Sequence, residues 1–515
     1  MEAEYDAIII GAGISGLTVA GLLSRHGFRV LVLEKHAVVG GCCSTFRRAK
    51  FIFDAAVHTM SGWAPGDVVH SWFTELEAVD EIHFANLDPF YCVAVGQERI
   101  MVPANLDELG HLLCTLSPED SSAVATFIQD MKTHGFMALD GALDIDSSLA
   151  RNPTSGMALG RVSWTSWSDY LAGRFQNPRL EIILHALAFY LGLDPDNASA
   201  LIMCAMFCCY HGGAFYPLGS TQRFVDTMAM LIRRWGGTIR RRAEVQRILY
   251  NKQGRAQGVC LVNGEEISAR FVVSCADMTK TLTSWTDTAL VPNSILRKLR
   301  HLEPSPSAML LYLAVREGDW SLPHHETFFL PDWKPLTADN FYYRSIGQEN
   351  GPVLSITAPS FTDPGLAPPG HHVVSMMCVT RAADVEKIRE EQGKDALTAD
   401  MLAHCERLVP GLTKNIIYKE LATARTIERY TKNHEGSASG WAKNTTHWLN
   451  AIKPQEVLPG LYMAGHWTRG AYGVYDTFVS GTVAARTIIQ AERPMSVAVP
   501  ELPIPELSVP ELQHS

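Results

Sequence analysis

Three glycines, Gly11, Gly13 and Gly16, follow directly on the apolar run Tyr5-Asp6-Ala7-Ile8-Ile9-Ile10, and Glu34 closes a second apolar run, Arg29-Val30-Leu31-Val32-Leu33. Residues of these types at this spacing can hold the two phosphates and the ribose of a dinucleotide. Gly11 permits a sharp turn off the strand, Gly13 lets bare backbone approach a pyrophosphate, and Gly16 lets a helix close on a sheet. The first helical amides, around Ile14 and Ser15, then face the phosphates. The Glu34 carboxylate can accept hydrogen bonds from adenosine ribose hydroxyls and repels a ribose phosphate, which disfavours NADP. A second glycine pair, Gly40-Gly41, can lie against another phosphate or a flat ring.

The elements that must position these groups form a βαβ unit over the first thirty-four residues. Past Gly40-Gly41 a loop leads into a short strand at Phe51 to Asp54. From about Pro65 to Tyr210 the pattern reads as helical, with an amphipathic run near Tyr170 to Leu193. A helix with Phe224, Met228, Leu231 and Trp235 on one face stops at Gly236-Gly237. Strands are expected at Thr238 to Arg242, Val245 to Tyr250, Ala256 to Val262 and Glu266 to Ser274. This meander needs another element to cover it and is assigned to the first domain. Farther on come strands at Ala308 to Val315 and Val373 to Cys378, and helices at Ala383 to Gln392 and Asp400 to Leu408. A strand ending in Gly465-His466 and a closing helix from about Asp476 to Glu492 complete the chain's ordered part.

The expected architecture is therefore α/β: a discontinuous Rossmann-like domain from 1–70, 212–284 and 415–490, and a mixed α+β substrate domain from 71–211 and 285–414. The tail, 491–515, repeats Pro-Glu-Leu at Pro500, Pro505 and Pro510, a density of proline that excludes helix. It reads either as a solvated terminus or as a docking arm.

Bulk properties narrow the function. At 515 residues the chain exceeds a single core and can enclose a buried cofactor. A formal charge of -10 with no clustered basic face argues against nucleic acid as a partner. Eleven scattered cysteines without a Cys-x-x-Cys pair suit a reducing compartment rather than a disulfide framework or a zinc site. The longest apolar stretch, Ala198 to Tyr210, is shorter than the roughly 20 residues that span a bilayer. The expectation is a cytoplasmic protein whose membrane contact, if any, is peripheral. The cluster Arg233-Arg234 with Arg240-Arg241-Arg242 reads as a helix C-terminus and a solvated strand face, or as a contact for anionic lipid. Cys204, Cys208 and Cys209 read as core. No metal-ligand spacing and no nucleophile elbow is present in the sequence.

The block from Gly11 to Glu34, with Gly40-Gly41, Phe53-Asp54, Gly236-Gly237, Val245 and Leu461-Tyr462-Met463-Ala464-Gly465, resembles the FAD-dependent phytoene desaturase, carotenoid isomerase and retinol saturase superfamily. The stretch Thr423 to Thr431, with Gly436 and Gly440-Trp441, is similar to the segment before that superfamily's final flavin motif. The resemblance implies FAD held by Gly11, Gly13, Ile14, Ser15, Gly16, Glu34, Lys35, Gly40 and Gly41. It also implies Val245 at the adenine, and Gly465, His466 and Val474 at the flavin end. His466 departs from the acid that many members carry there. The Asp54-Ala55-Ala56-Val57-His58 spacing resembles the saturase and isomerase branch. His58 is then either a proton shuttle, since imidazole titrates near neutral pH, or a hydrogen-bonded structural group. His211 and His466 lean toward structural roles.

What the resemblance implies is oxidation, reduction or isomerisation of carbon-carbon double bonds in an apolar polyene or isoprenoid. No second dinucleotide fingerprint offers a nicotinamide site, so the electron acceptor stays open. Two other functions stay open as well: a flavin amine or amino-acid oxidase, which predicts an aromatic cage or a carboxylate-clamping arginine, and a flavin-binding scaffold without turnover.

Overall fold

The computed structural model describes residues 3–143, 153–349, 351–453, 455–468 and 473–492. The tail that carries the Pro-Glu-Leu repeat lies outside them.

Two sheets organise the chain. In the first, Tyr5–Ile10 pairs in parallel with Val30–Glu34 on one side and Glu266–Ser274 on the other. That double pairing, with helices over the faces, explains why five of its six residues are buried, Ala7 to Ile10 as an unbroken apolar run. The full eight-stranded order is Val245–Tyr250, Ala256–Leu261, Glu266–Ser274, Tyr5–Ile10, Val30–Glu34, Thr238–Arg241, with Leu461–Met463 also pairing Glu266–Ser274 and Glu456–Leu458 beside it. The helices Ile14–Arg25, Thr221–Arg234 and Gly473–Ala491 pack together over this sheet. The first and last of these approach closely because Gly481 has no side chain: a Cβ there would stand 2.9 Å from the Ser15 carbonyl oxygen.

The second sheet has seven strands in the order Ile416–Ala422, Ser307–Arg316, His371–Thr380, Leu354–Thr357, Glu326–Leu330, Tyr91–Val95, Glu98–Val102. Side chains alternate between its faces. One face, with Leu311, Ile356 and Met376, joins a core closed by Val385, Leu397 and Met401 of the segment Ala382–Leu408. The other face, with Leu310, Tyr312, Thr357 and Met377, lines a cavity. A hairpin from the first domain's side, Thr45–Arg48 with Phe51–Asp54, stands over this second face, with Phe46 packed edge-on against Tyr312 at 4.9 Å between centroids.

Several expectations need correction. The span expected to be helical from 65 to 210 also contains the strands Phe84–Asn86, Tyr91–Val95 and Glu98–Val102. Tyr91–Val95 is buried on both faces and so shows no alternation. The amphipathic run at 170–193 is broken into Trp167–Leu171, Pro178–His185 and a 3-10 turn at Ala186–Leu191, because Asn177 and Pro178 start a new helix rather than continue the old one. Ile416–Ala422 pairs with Ser307–Arg316, so this part of the expected 415–490 segment belongs to the second sheet. The helices expected at 383–392 and 400–408 merge into Ala382–Leu408, interrupted at Gly393 with φ +85°. The closing helix is described from Gly473, three residues before the expected start at Asp476. Among the described residues no helix is long and apolar enough to cross a membrane.

Candidate functional site

Backbone builds the first half of the site. Gly11 has φ +97°, a left-handed conformation that only glycine adopts without strain, and it turns the chain from the strand toward the helix. Gly16 packs so tightly on that turn that a Cβ would fall 1.9 Å from the Gly11 carbonyl oxygen, whereas a Cβ on Gly13 would meet nothing within 4 Å. Space beside Gly13 and contact beside Gly16 are what a bound pyrophosphate and a close helix require. Gly40 donates its amide to the Ala12 carbonyl at 2.7 Å, and Gly41 lies against the Gly13 Cα.

The buried Glu34 carboxylate accepts the Ala12 amide at 2.9 Å and the His36 amide at 2.8 Å, which fixes it at the strand end. The Ala243 amide donates to the Glu34 carbonyl at 2.8 Å and brings the strand that starts with Val245 alongside. The Lys35 Nζ is buried there with no hydrogen-bond partner among the described residues, and burial, reinforced by Lys432, holds its pKa down at about 8. Ile14 is the buried first residue of the helix. The Ser15 hydroxyl donates to the Thr477 carbonyl at 2.8 Å, so it ties the first helix to the closing one and leaves only its amide for a ligand.

The chain's far end completes this half. Gly465, φ +102°, sits against Ser15 and donates its amide to the Ser480 hydroxyl at 2.8 Å. Val474 is buried in the first turn of the closing helix. His466 follows Gly465; its Nε2 is buried without a partner among the described residues, and burial, then the charge of Lys443, press its pKa down to about 4.

The second half is a small, partly open cavity between the second sheet and residues 53–58, lined by His58, Leu310, Tyr312, Thr357 and Met377 among others. His58 Nε2 lies 2.9 Å from Glu326 Oε1 and its Nδ1 lies 3.1 Å from the Ala56 carbonyl. Both neighbours are acceptors, so both ring nitrogens carry hydrogen and the ring is an imidazolium. Burial works to lower its pKa, but the Glu326 carboxylate, the Ala56 carbonyl and Asp54 together raise it above the ordinary 6.5. Glu326, fully buried, also accepts from the Ser355 hydroxyl at 3.0 Å and from the Tyr190 hydroxyl. Burial favours its neutral form, but the charge and hydrogen bond of His58 outweigh that, and its pKa is lowered. His325 donates to the His58 carbonyl at 2.8 Å and holds the loop in place. His58 is thus held through both ring nitrogens at the cavity wall, as the hydrogen-bonded reading expects.

A sequence profile described as flavin containing amine oxidoreductase matches residues 14–489. This chain belongs to that family. Prolycopene isomerase 1 of an Oncidium hybrid cultivar is 26% identical over 515 residues, covering 94% of this chain and 84% of its own length. All-trans-retinol 13,14-reductase of Rattus norvegicus is 24% identical over 530 residues, covering 94% and 84%. Among solved structures, an oxidoreductase from Methanosarcina mazei superposes with a TM-score of 0.67 at 18% identity, covering 94% of this chain and all of the other, and shares the fold.

As a flavin oxidoreductase of this family the chain takes FAD, and the residues present fit it. The open space at Gly13, and the Lys35 Nζ and His466 Nε2 atoms that have no partner among the described residues, leave room and unspent polar groups for it. His211 is elsewhere: its Nδ1 accepts the Leu106 amide at 3.0 Å and caps a helix.

Sequence reasoning missed Glu326, whose partner is 268 residues away. It also missed Lys443, whose fully buried side chain brings Nζ within 3.4 Å of the His466 carbonyl. Burial lowers its pKa to about 7 against the opposing pull of Asp476. A lone lysine amid Gly440-Trp441-Ala442 was the available signal. Arg234 and Arg240 pair with Glu81 and Glu265, the solvated reading of the basic cluster. Cys204, Cys208 and Cys209 are core.

Proposed function

We propose that this FAD-dependent oxidoreductase acts on carbon-carbon double bonds of an apolar polyene or isoprenoid. The observation that carries the reading is His58, paired with the buried Glu326, in the wall of a cavity whose other lining is apolar or neutral save for Asp54. The names of the relatives, an isomerase of one polyene and a reductase of another, support the substrate class. Bound FAD supplies hydride acceptance or donation. Gly11, Gly13, Ile14, Ser15 and Gly16 offer backbone amides and space to its pyrophosphate, Glu34 and Lys35 its adenosine ribose, Val245 its adenine. Gly40, Gly41, Gly465, His466 and Val474 hold its other end.

The apolar lining, Phe53, Val57, Leu310, Val373 and Met377, binds a hydrocarbon chain through buried area and keeps water from the reacting carbon. His58 holds a proton on Nε2 against the Glu326 carboxylate. Yielding a proton to a substrate carbon breaks one of the ring's two hydrogen bonds and leaves it neutral, and taking one up restores the imidazolium that Glu326 stabilises. No arginine lines the cavity among the described residues, which is why a carboxylate-clamping amine or amino-acid oxidase is the weaker reading.

The test is anaerobic titration of the flavin-loaded protein, oxidised or pre-reduced, with polyenes and with polar amines, following flavin absorbance and product spectra. Polyene-dependent absorbance change or isomer formation supports the reading. Turnover of amines with peroxide release, and silence toward polyenes, overturns it.

A further inference from the structure

On the cavity side of the second sheet, strand register aligns polar side chains into a row. Tyr312 stands opposite Glu420 on one neighbouring strand and Ser375 on the other; Ser375 stands opposite Thr357, and Thr357 opposite Glu326. The next row on the same face is Ala422, Leu310, Met377, Ser355 and Phe328, apolar save for one hydroxyl committed to Glu326. A polar band crossing an apolar surface is costly unless each member is hydrogen-bonded.

Most members are. Glu420 pairs with Arg48 at 2.8 Å, the Tyr312 hydroxyl donates to the Ala55 carbonyl at 2.5 Å, and Glu326 holds His58. Thr357 and Ser375 are the exceptions. Both line the cavity, Thr357 is 3% exposed, and among the described residues neither hydroxyl has a hydrogen-bond partner. They stand directly across from one another, close enough for one ligand oxygen to bridge them.

We infer that the Thr357 and Ser375 hydroxyls form a subsite for an oxygen-bearing group, an alcohol or carbonyl, so that the preferred substrate is an oxygenated polyene rather than the matching hydrocarbon. This rests on the polyene reading above. A hydrocarbon strips water from both hydroxyls and returns nothing, whereas an alcohol or carbonyl replaces the lost bonds. Thr357 and Ser375 are thus specificity-determining residues, distinct from His58.

The experiment uses the flavin-loaded full chain, titrated with all-trans-retinol and with the hydrocarbon of the same polyene that carries a methyl in place of its hydroxymethyl group. Flavin absorbance and fluorescence report each Kd. The expected result is at least about tenfold tighter binding of the alcohol, with Thr357→Val and Ser375→Ala each bringing the ratio toward one while hydrocarbon affinity holds or improves. Ser375→Ala carries the test if Thr357→Val loses flavin. Equal affinities in the wild type, or a ratio untouched by Ser375→Ala, overturn the subsite and leave the polyene reading standing. If neither compound binds, both fall.

Discussion

The dinucleotide cradle and the cavity are built in different ways. The cradle is mostly main chain: glycines at 11, 13, 16, 40 and 41 come from one contiguous stretch, while Val245, Gly465, His466 and Val474 arrive from afar. The cavity is side chains on strands separated by hundreds of residues, brought together by sheet register, with a buried charge pair at its edge. A main-chain site depends on the absence of side chains, whereas a side-chain site depends on which ones are present. The first therefore breaks by steric intrusion and the second by loss of a partner.

The largest expected effect tests the first half of this contrast. Gly16→Ala drives a methyl to within 1.9 Å of backbone, so the helix must separate from the strand; the protein should purify colourless and melt well below wild type in a thermal scan. Gly13→Ala sharpens the point, because the same change there meets open space. It should leave the melting temperature of the flavin-free protein near wild type while weakening FAD binding at least about tenfold, as read by flavin fluorescence.

The next effect tests the cavity. Glu326→Gln leaves the His58 imidazolium buried without its counter-charge and should cost about 3–5 kcal/mol in denaturant unfolding. Replacing His58 with Gln as well should recover part of that loss, since no charge is then stranded. A recovery of zero would mean that the two side chains do not act as a pair.

The pH dependence follows from the signs of the two shifts. The His58 pKa is raised above 6.5, so its contribution to stability is complete below 6.5 and is lost as pH rises through the higher folded value. The Glu326 pKa is lowered below 4.5, so its contribution is complete above 4.5 and is lost as pH falls through the lower folded value. The pair is therefore most stabilising between about pH 4.5 and 6.5, and unfolding free energy of the wild type relative to the double variant, measured across pH, should be largest there. The smallest effect is expected at the seam between the two ends of the cradle. Ser15→Ala removes the bond to the Thr477 carbonyl and should cost about 1 kcal/mol with FAD retained.

The same contrast explains what was legible in the sequence. The cradle was readable because strand, turn, helix and acid follow one another within one stretch, so spacing alone encodes geometry. His58 was visible as a candidate, but its partner was not, because no local pattern links residues 268 apart. Tyr91–Val95 escaped because it is covered on both faces and pairs in parallel with Glu326–Leu330, which removes the period of two that marks a strand. Residues 416–422 were assigned with the rest of 415–490 to the first domain because nothing local in Ile-Ile-Tyr-Lys-Glu-Leu-Ala names the strand it pairs with. Lys443 and the Thr357–Ser375 pair depend on burial and register, which composition does not reveal.

Rapid anaerobic mixing of a polyene with flavin-loaded wild type and with His58→Gln bears most directly on the division of labour between the two regions. Both proteins should hold one FAD, and the substrate-driven absorbance change or isomer formation in the variant should be slower by about 10²–10⁴-fold. Equal rates, or a variant that has lost its FAD, would contradict the account.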